Sequence, residues 1–341
     1  MKNQRIRKFF ASSPFLSSLY YTLFDDSFHR EHQSVLAGVV EYGEKSEFSQ
    51  KSLLRRNIHR IEKGLTTEIR KEIFAESYIE ATVLAFENEL SSSIDKPSLK
   101  WANDVLSRYF DTVEKTPRIL SAWSHYKTLD ISKLQFEIHK KFEPQLLVST
   151  EVCSVSYDDF KSLSEGRRSI RSYQNKKIPR EVLAKAIEVS LNSPSACNRQ
   201  PFEFRIFDEP DLLKKAVKLP MGCRTFAEGI PIIIFLVGDL SAYESERDRH
   251  LIFIDGGLIT MSFILALETL NLASCVIGWP DIELRERKLE KFIGLKKHQR
   301  CILCIAVGYP NREVEVPYCQ KRSLDEILNY NRELAENEYS D

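Results

Sequence analysis

Apolar positions in the first part of the chain recur at helical spacing. Ile79, Val83, Phe86 and Leu90 fall at intervals of four, three and four, which puts them on one face of a helix. Ser91 to Pro97 breaks that pattern, Leu99, Ala102, Leu106, Tyr109 and Val113 resume it, and Pro117 interrupts it again. Leu53 to Leu65 predicts a further helix, with Ser52 as its N-cap and Gly64 near its close. Glycine is scarce here and no strong alternation appears, so residues 1–150 are expected to form a mainly helical region.

After about residue 160 helical and extended patterns mix. Arg180 to Leu191 predicts a helix that Pro179 can start, and Phe202 to Phe207 alternates like a strand. Pro231 to Gly238 is a continuous apolar run bounded by turn formers, the signature of a central strand. A long, nearly uncharged helix is expected from about Asp255 to Leu270, then extended chain over Ala273 to Trp279. Ile282 to Phe292 predicts a helix and Cys301 to Val307 the last internal strand, before Gly308-Tyr309-Pro310.

The 341 residues, 43% hydrophobic and 29% charged, suffice for a sizeable core. Forty-nine basic residues balance forty-nine acidic ones, so net charge gives no global attraction to nucleic acid or anionic membrane. The seven cysteines, at 153, 197, 223, 275, 301, 304 and 319, do not resemble a secreted disulfide framework. Cys301 and Cys304 form a C-x-x-C inside an apolar run, better explained by a buried strand than by a redox pair. No zinc-spaced cluster accompanies them, so no metal is expected, and a reducing, cytoplasmic compartment is the default.

At the start, Lys2, Arg5, Arg7 and Lys8 precede Phe9, Phe10, Phe15, Leu16, Leu19 and Tyr20. Serines and Pro14 break this apolar part too often for a signal peptide, and a short arm or broken helix lying on the protein's own core is expected, with peripheral membrane contact as the other reading. Gly256 to Leu267 is uncharged but ends at Glu268, too short to span a bilayer. No transmembrane segment is expected. There is no G-x-G-x-x-G after an early strand, no G-x-S-x-G and no P-loop, which removes the common dinucleotide, hydrolase and NTP-binding signatures.

Two constellations carry chemistry. Gly166-Arg167-Arg168-Ser169-Ile170-Arg171-Ser172-Tyr173 places three arginines and a serine within five residues, either a phosphate cradle or a solvated basic loop. Pro194-Ser195-Ala196-Cys197-Asn198-Arg199-Gln200-Pro201 joins a predicted helix to a predicted strand. Asn198 and Gln200 each offer a donor and an acceptor for a heteroaromatic edge, and two prolines would equally make a turn.

With these signatures in order the chain resembles the FMN-dependent nitroreductase family. R-R-S-x-R-x-[FY] is Arg167 through Tyr173, and P-S-x-x-N-x-Q-P is Pro194 through Pro201. The uncharged helix, Leu272 to Gly278, Gly308-Tyr309-Pro310 and Lys321-Arg322 follow. The resemblance covers roughly residues 155 to 330. It implies an α+β fold with a mixed sheet and packed helices, after the helical 1–150 and before a tail over 331–341. It also implies a homodimer holding FMN between subunits.

Arg167, Arg168, Ser169 and Arg171 would then lie near the phosphate and ribityl chain, and Ser195, Asn198 and Gln200 along the ribityl chain and ring, the last two from the partner's side. Ile277 and Gly278 would bring backbone to the ring, where glycine permits close approach. Lys321 or Arg322 would close over the phosphate, with the register open between them. Cys197 reads as a packed small residue, and His250 and His298 as surface or structural histidines. His59, Glu62 and Lys63 share one helix face and are substrate-side candidates, in a His-x-x-Glu-Lys-Gly-Leu segment that resembles long nitroreductase-like proteins from polysaccharide-related settings. A surface ion-pair network before a helix end is the other reading.

The implied activity is two-electron reduction of a small conjugated, nitro- or quinone-like substrate, driven by NADH or NADPH. Its rivals are flavin-dependent dehydrogenation of a tailored metabolite and a non-catalytic flavin-fold binding protein in polysaccharide or envelope biosynthesis. Nucleic acid is not an expected partner, because the arginine cluster is short and net charge is zero.

Overall fold

Residues 4–92, 95–134, 141–146 and 153–331 are described in a computed structural model. The expected boundary at 150 and all but the first residue of the 331–341 tail lie outside them.

The first part is helical, as its spacing predicts. The helices are α1 (Gln4–Phe10), α2 (Pro14–Leu23), α3 (His29–Gly43), α4 (Glu47–Leu65), α5 (Ile79–Ser92), α6 (Lys96–Thr112) and α7 (Pro117–Thr128). From α4 to α7 they enclose their own core, where Ile58, Ile61, Ile79, Val83, Phe86, Leu106, Tyr109 and Ile119 are buried. The Tyr109 hydroxyl donates to the Phe74 carbonyl at 2.7 Å, and burial pushes its pKa above the ordinary phenol value.

Three details of the sequence reading change. Helix α4 begins at Glu47 with Ser46 as its cap, and Ser52 is buried on its second turn. The polar run Glu47-Phe48-Ser49-Gln50-Lys51-Ser52 hides the start because its inward positions are serines. Gly64 lies inside the helix, whose cap is Thr66; a Cβ on Gly64 would meet the Phe74 ring at 2.4 Å, so close packing rather than chain reversal calls for glycine. The N-terminal arm does not lie on the core: α1 buries no residue and α2 only Tyr20.

The second part contains α8 (Tyr157–Gly166), α9 (Arg180–Ser190), β1 (Phe202–Phe207), α10 (Pro210–Ala216), β2 (Ile232–Asp239) and α11 (Leu251–Thr269). It continues through β3 (Ala273–Gly278), α12 (Glu283–Ile293), β4 (Gln299–Gly308) and α13 (Leu324–Ile327). The strands pair antiparallel in the order β1-β2-β4-β3, and a parallel bridge from Ser169 to Ser274 makes the sheet mixed. Alternation along β2 sends Ile233, Phe235 and Val237 to one core and Ile232 and Ile234 to the other, where Phe263 and Leu267 of α11 and Leu183 and Ala186 of α9 cover the sheet.

The β2–β4 register shifts between Leu236 and Val237, leaving Ile302 as the extra residue on β4. That bulge reverses the parity of the strand, which is why Cys301 and Cys304, three residues apart, point into the same core. They are strand residues, as their apolar setting implied.

Helix α11 starts at Leu251, shortly before Asp255 as its pattern suggests. By length and composition an apolar stretch of 18 residues within Glu246–Thr269, with mean hydropathy 1.9, could cross a bilayer, yet half of that stretch is buried inside the fold. Its outward side exposes Phe253, Ile254, Leu258 and Met261.

The helical part meets the sheet part at defined points. Arg30 of α3 bonds Glu283 at 2.7 Å and Glu290 at 3.1 Å on α12, holding the Glu283 carboxyl down to about 2. Gly38 of α3 packs on the turn after β2, where a Cβ would stand 2.7 Å from the Leu240 Cβ and 2.8 Å from its carbonyl. Backbone there cannot swing aside, so Gly38→Ala is expected to cost roughly 1–3 kcal/mol in urea denaturation. An unchanged midpoint would show that α3 is not seated on this turn.

Candidate functional site

The arginine segment is docked at the end of the sheet. Helix α8 ends at Gly166, and Arg167 caps it by donating its N–H to the Leu163 carbonyl. The chain then runs beside β3, the Ile170 N–H donating to the Ser274 carbonyl at 3.0 Å. Tyr173 anchors it: its hydroxyl donates to the Ile170 carbonyl at 2.6 Å, and burial pushes its pKa far up. Beyond, the Gln174 and Asn311 N–H groups stitch the segment to the end of β4, at 2.9 Å and 3.1 Å.

This bracing presents Arg167 and Arg168 half-buried and Arg171 exposed. Arg171 reaches only the Ser169 carbonyl, at 3.3 Å, and among the described residues none of the three arginines makes an ion pair. Glu268 of α11 lies within electrostatic reach of Arg167, and burial pushes that carboxyl up. Positive charge therefore accumulates here, with Glu268 as a carboxyl within reach of Arg167.

The same strand carries the next candidates. Ile277 lies three residues beyond Ser274, about 10 Å along β3. Ile277 is buried, and the Gly222 loop passes over it: a Cβ on Gly222 would touch it at 3.0 Å. Gly278 is exposed and a Cβ there would meet nothing within 4 Å. Among the described residues no contact therefore demands glycine at 278, and its open side leaves the strand end accessible.

The second constellation is a strained loop. Cys197, Asn198 and Gln200 all adopt left-handed backbone, with φ of 53°, 55° and 52°. For residues other than glycine each such position costs on the order of 1–3 kcal/mol, so the surroundings must hold it. The Ser195 hydroxyl accepts from the Gln200 N–H at 3.2 Å, and both carboxylate oxygens of Asp255 accept from the Ala196 N–H at 3.1 Å. Helix α4 contributes Arg55, whose Nε donates to the Asn198 carbonyl at 2.9 Å. Gln200 Nε2 donates to Asn198 Oδ1 at 2.8 Å, which leaves the Asn198 amide donor and the Gln200 carbonyl acceptor for a ligand.

Beneath the loop is a buried polar group that sequence reasoning missed. Arg199 and Asp255 are 5% and 2% exposed, and the Arg199 guanidinium lies 3.7 Å from Asp248 and over the Tyr243 ring. Burial pushes the Asp255 carboxyl up, against the Ala196 N–H and Arg199, which pull it down. Its only signal in the sequence is a lone carboxylate entering an otherwise uncharged stretch.

The two constellations do not meet within one chain. Asp255 underlies the loop near the start of α11 and Glu268 neighbours Arg167 near its end, thirteen residues or roughly 20 Å away along the helix. Lys321 and Arg322 lie on an exposed segment, where Arg322 pairs with Glu326 of its own turn at 2.8 Å. His59 and Glu62 face one another at 3.6 Å, Glu62 accepts from the Trp101 indole at 2.8 Å, and Lys63 is exposed. A cavity of about 170 Å³ that borders Gln200 is lined from α4 by Lys51, Ser52 and Arg55, one to three turns before those candidates.

Comparison with known proteins shows what this chain is similar to. The profile of the Nitroreductase family matches residues 165–225 and 216–309. Human iodotyrosine deiodinase 1 is 22% identical over 195 residues, 50% of this chain and 68% of that protein. A relative from Archaeoglobus fulgidus, named for NADH dehydrogenase/NAD(P)H nitroreductase activity, is 27% identical over 152 residues, 43% of this chain and 83% of its own. The solved FMN-dependent nitroreductase of Clostridium difficile R20291 superposes with a TM-score of 0.43 at 19% identity, covering 50% of this chain and 99% of its own.

Proposed function

We infer that this chain, which belongs to the nitroreductase family through residues 165–309, is an FMN-dependent oxidoreductase that reduces a small conjugated, nitro- or quinone-like substrate with NADH or NADPH. The observation that carries the reading is the pairing, along β3, of arginines that make no ion pair among the described residues, at Ser169–Ser274, with a strand end that opens at Gly278. A phosphate beside Arg167, Arg168 and Arg171 would receive charge-assisted hydrogen bonds from rigid forked donors. The Ser169 hydroxyl adds a donor at the same place, and Lys321 or Arg322 would supply a further cation over it. Ile277 and Gly278 would face the ring with backbone, and oriented N–H groups there would stabilise negative charge on it. FMN would supply the two-electron chemistry when bound.

The functional unit we propose is a homodimer. The loop Ser195–Gln200 and the arginine cluster stand at opposite ends of α11, whose outer side exposes Phe253, Ile254, Leu258 and Met261. Antiparallel packing of two such helices would cover that apolar side and bring the loop of one copy to the cluster of the other. Asn198 and Gln200 would then read the edge of a ring held by the partner. Residues 155–330 form the cofactor-binding unit in this reading, and the helical 1–150 covers the Gln200 side, with His59, Glu62 and Lys63 as candidates on the substrate's approach. The unpaired thiols suit a cytoplasmic setting.

The test is a visible spectrum of protein purified without added flavin, followed anaerobically as NADH or NADPH is added. The expected result is flavin bands near one per chain that bleach with one of the two donors. Bound flavin that stays oxidised would point to dehydrogenation of a metabolite instead. No flavin, and no uptake of supplied FMN, would leave the binding-protein reading.

A further inference from the structure

We propose that the N-terminal hairpin is a peripheral membrane anchor, its aromatic side docking on a bilayer surface that carries anionic phospholipid. Arg5, Arg7 and Lys8 are the charged residues from 4 to 24, and that stretch contains no Asp or Glu. Its apolar side chains face outward: Phe9, Phe15, Leu23 and Phe24 are 63%, 75%, 63% and 61% exposed. A helix hairpin combining basic residues with exposed aromatic and aliphatic ones has the composition of an interfacial segment, which lies in the headgroup region rather than spanning the bilayer.

The hairpin is held in shape without being covered. Ser13 caps α2 and Pro14 occupies its first turn. The Ser17 hydroxyl reaches back to the Phe10 carbonyl at 3.0 Å. Phe10 stacks against Tyr20 and Phe24 with ring centres 5.5 Å and 5.6 Å apart. Between the two helices a cavity of about 650 Å³ is walled by Ile6, Phe9, Phe10 and Phe24 together with Arg5 and Arg7. Apolar walls beside guanidinium groups match a phospholipid, whose acyl and glycerol portion is apolar and whose phosphate is anionic.

Charge selects lipid over the main rival, a second copy of this chain. Hairpin against hairpin would oppose two sets of three cations, which Asp25 beside Arg7 offsets in part, and the like charge that remains costs association rather than favouring it. The outer side of α11, by contrast, offers a copy an uncharged surface. An anionic bilayer attracts each basic residue near its surface by about 1 kcal/mol, roughly fivefold in partitioning per charge.

Vesicle flotation of the full-length protein tests this independently of flavin. The expected result is flotation with vesicles of phosphatidylcholine containing roughly a third phosphatidylglycerol, little with phosphatidylcholine alone, and loss at high salt as screening shortens the reach of the charges. Lys8→Gln should weaken partitioning about fivefold, and Phe9→Ser with Phe15→Ser at least about tenfold, with far-UV circular dichroism unchanged in both. Failure to float with anionic vesicles, or flotation indifferent to both variants, overturns the proposal. So does a shift from dimer to monomer in sedimentation when Phe9 and Phe15 are replaced without any change in flotation, which would assign the surface to a second copy.

Discussion

Replacing Arg168 and Arg171 together by alanine is expected to weaken FMN binding by about 10² to 10⁴-fold while leaving the fold intact. Hydrogen bonds to a charged partner contribute about 1.5–3 kcal/mol each, so two lost guanidinium forks give that range. The fold should survive because neither side chain makes an ion pair among the described residues, and the segment is held by its backbone and by Tyr173. Equilibrium titration by flavin fluorescence, with thermal unfolding of the apoprotein as control, separates the two effects. A double variant that binds FMN as tightly as the parent would refute the phosphate cradle. Arg171→Lys should retain part of the affinity, since the charge remains while the planar fork is lost.

The largest effect on stability is expected at Asp255. Asp255→Ala removes the acceptor of the Ala196 N–H, while Arg199 beside it keeps its ion pair with Asp248 at 3.7 Å. Leaving the part-buried Ala196 N–H without its acceptor costs about 1–3 kcal/mol, and the left-handed turns at Cys197, Asn198 and Gln200, each strained by a similar amount, lose the contact that holds them. Asp255→Asn keeps an acceptor for Ala196 and should cost clearly less. The carboxyl's pKa is raised by burial, so its contribution is fullest below the ordinary aspartate value and declines as pH rises through the raised one. Asp255→Asn should flatten that part of the stability profile. Urea denaturation across pH measures both, and equal stabilities for Ala and Asn would exclude the acceptor role.

The regular elements of the second part were legible because period and composition agreed there. Phe202 to Phe207 alternates and is β1, and Ala273 to Gly278 is β3. Where local chemistry and burial diverge, sequence reading failed. Serines 49 and 52 are buried in α4, so its start at Glu47 shows no apolar stripe. Arg55 and Asp255 were missed because each acts across the chain, on the 195–200 loop, and nothing in its own neighbourhood marks the contact. The arm's aromatic residues suggested burial, yet hydrophobic residues seek any apolar partner, and α1 and α2 find little of one within the chain. The motif residues were legible as a set. Their distance apart along α11 was not, since spacing in sequence does not give the path of the fold between them.

The bulge on β4 has one more consequence, for the protein's reactivity. By turning Cys301 to the side of Cys304, it gathers those two thiols with Cys223 and Cys275 in a single core, while Cys153 and Cys319 lie outside and Cys197 sits half-buried in the 195–200 loop. Burial raises the pKa of Cys223, Cys275 and Cys304, keeping them as unreactive thiols at neutral pH. An alkylating reagent would therefore mark the outer pair at once and the inner four only when the sheet opens. The mass of the labelled chain thus becomes a stopwatch for sheet opening, wound by the cysteines the protein already carries.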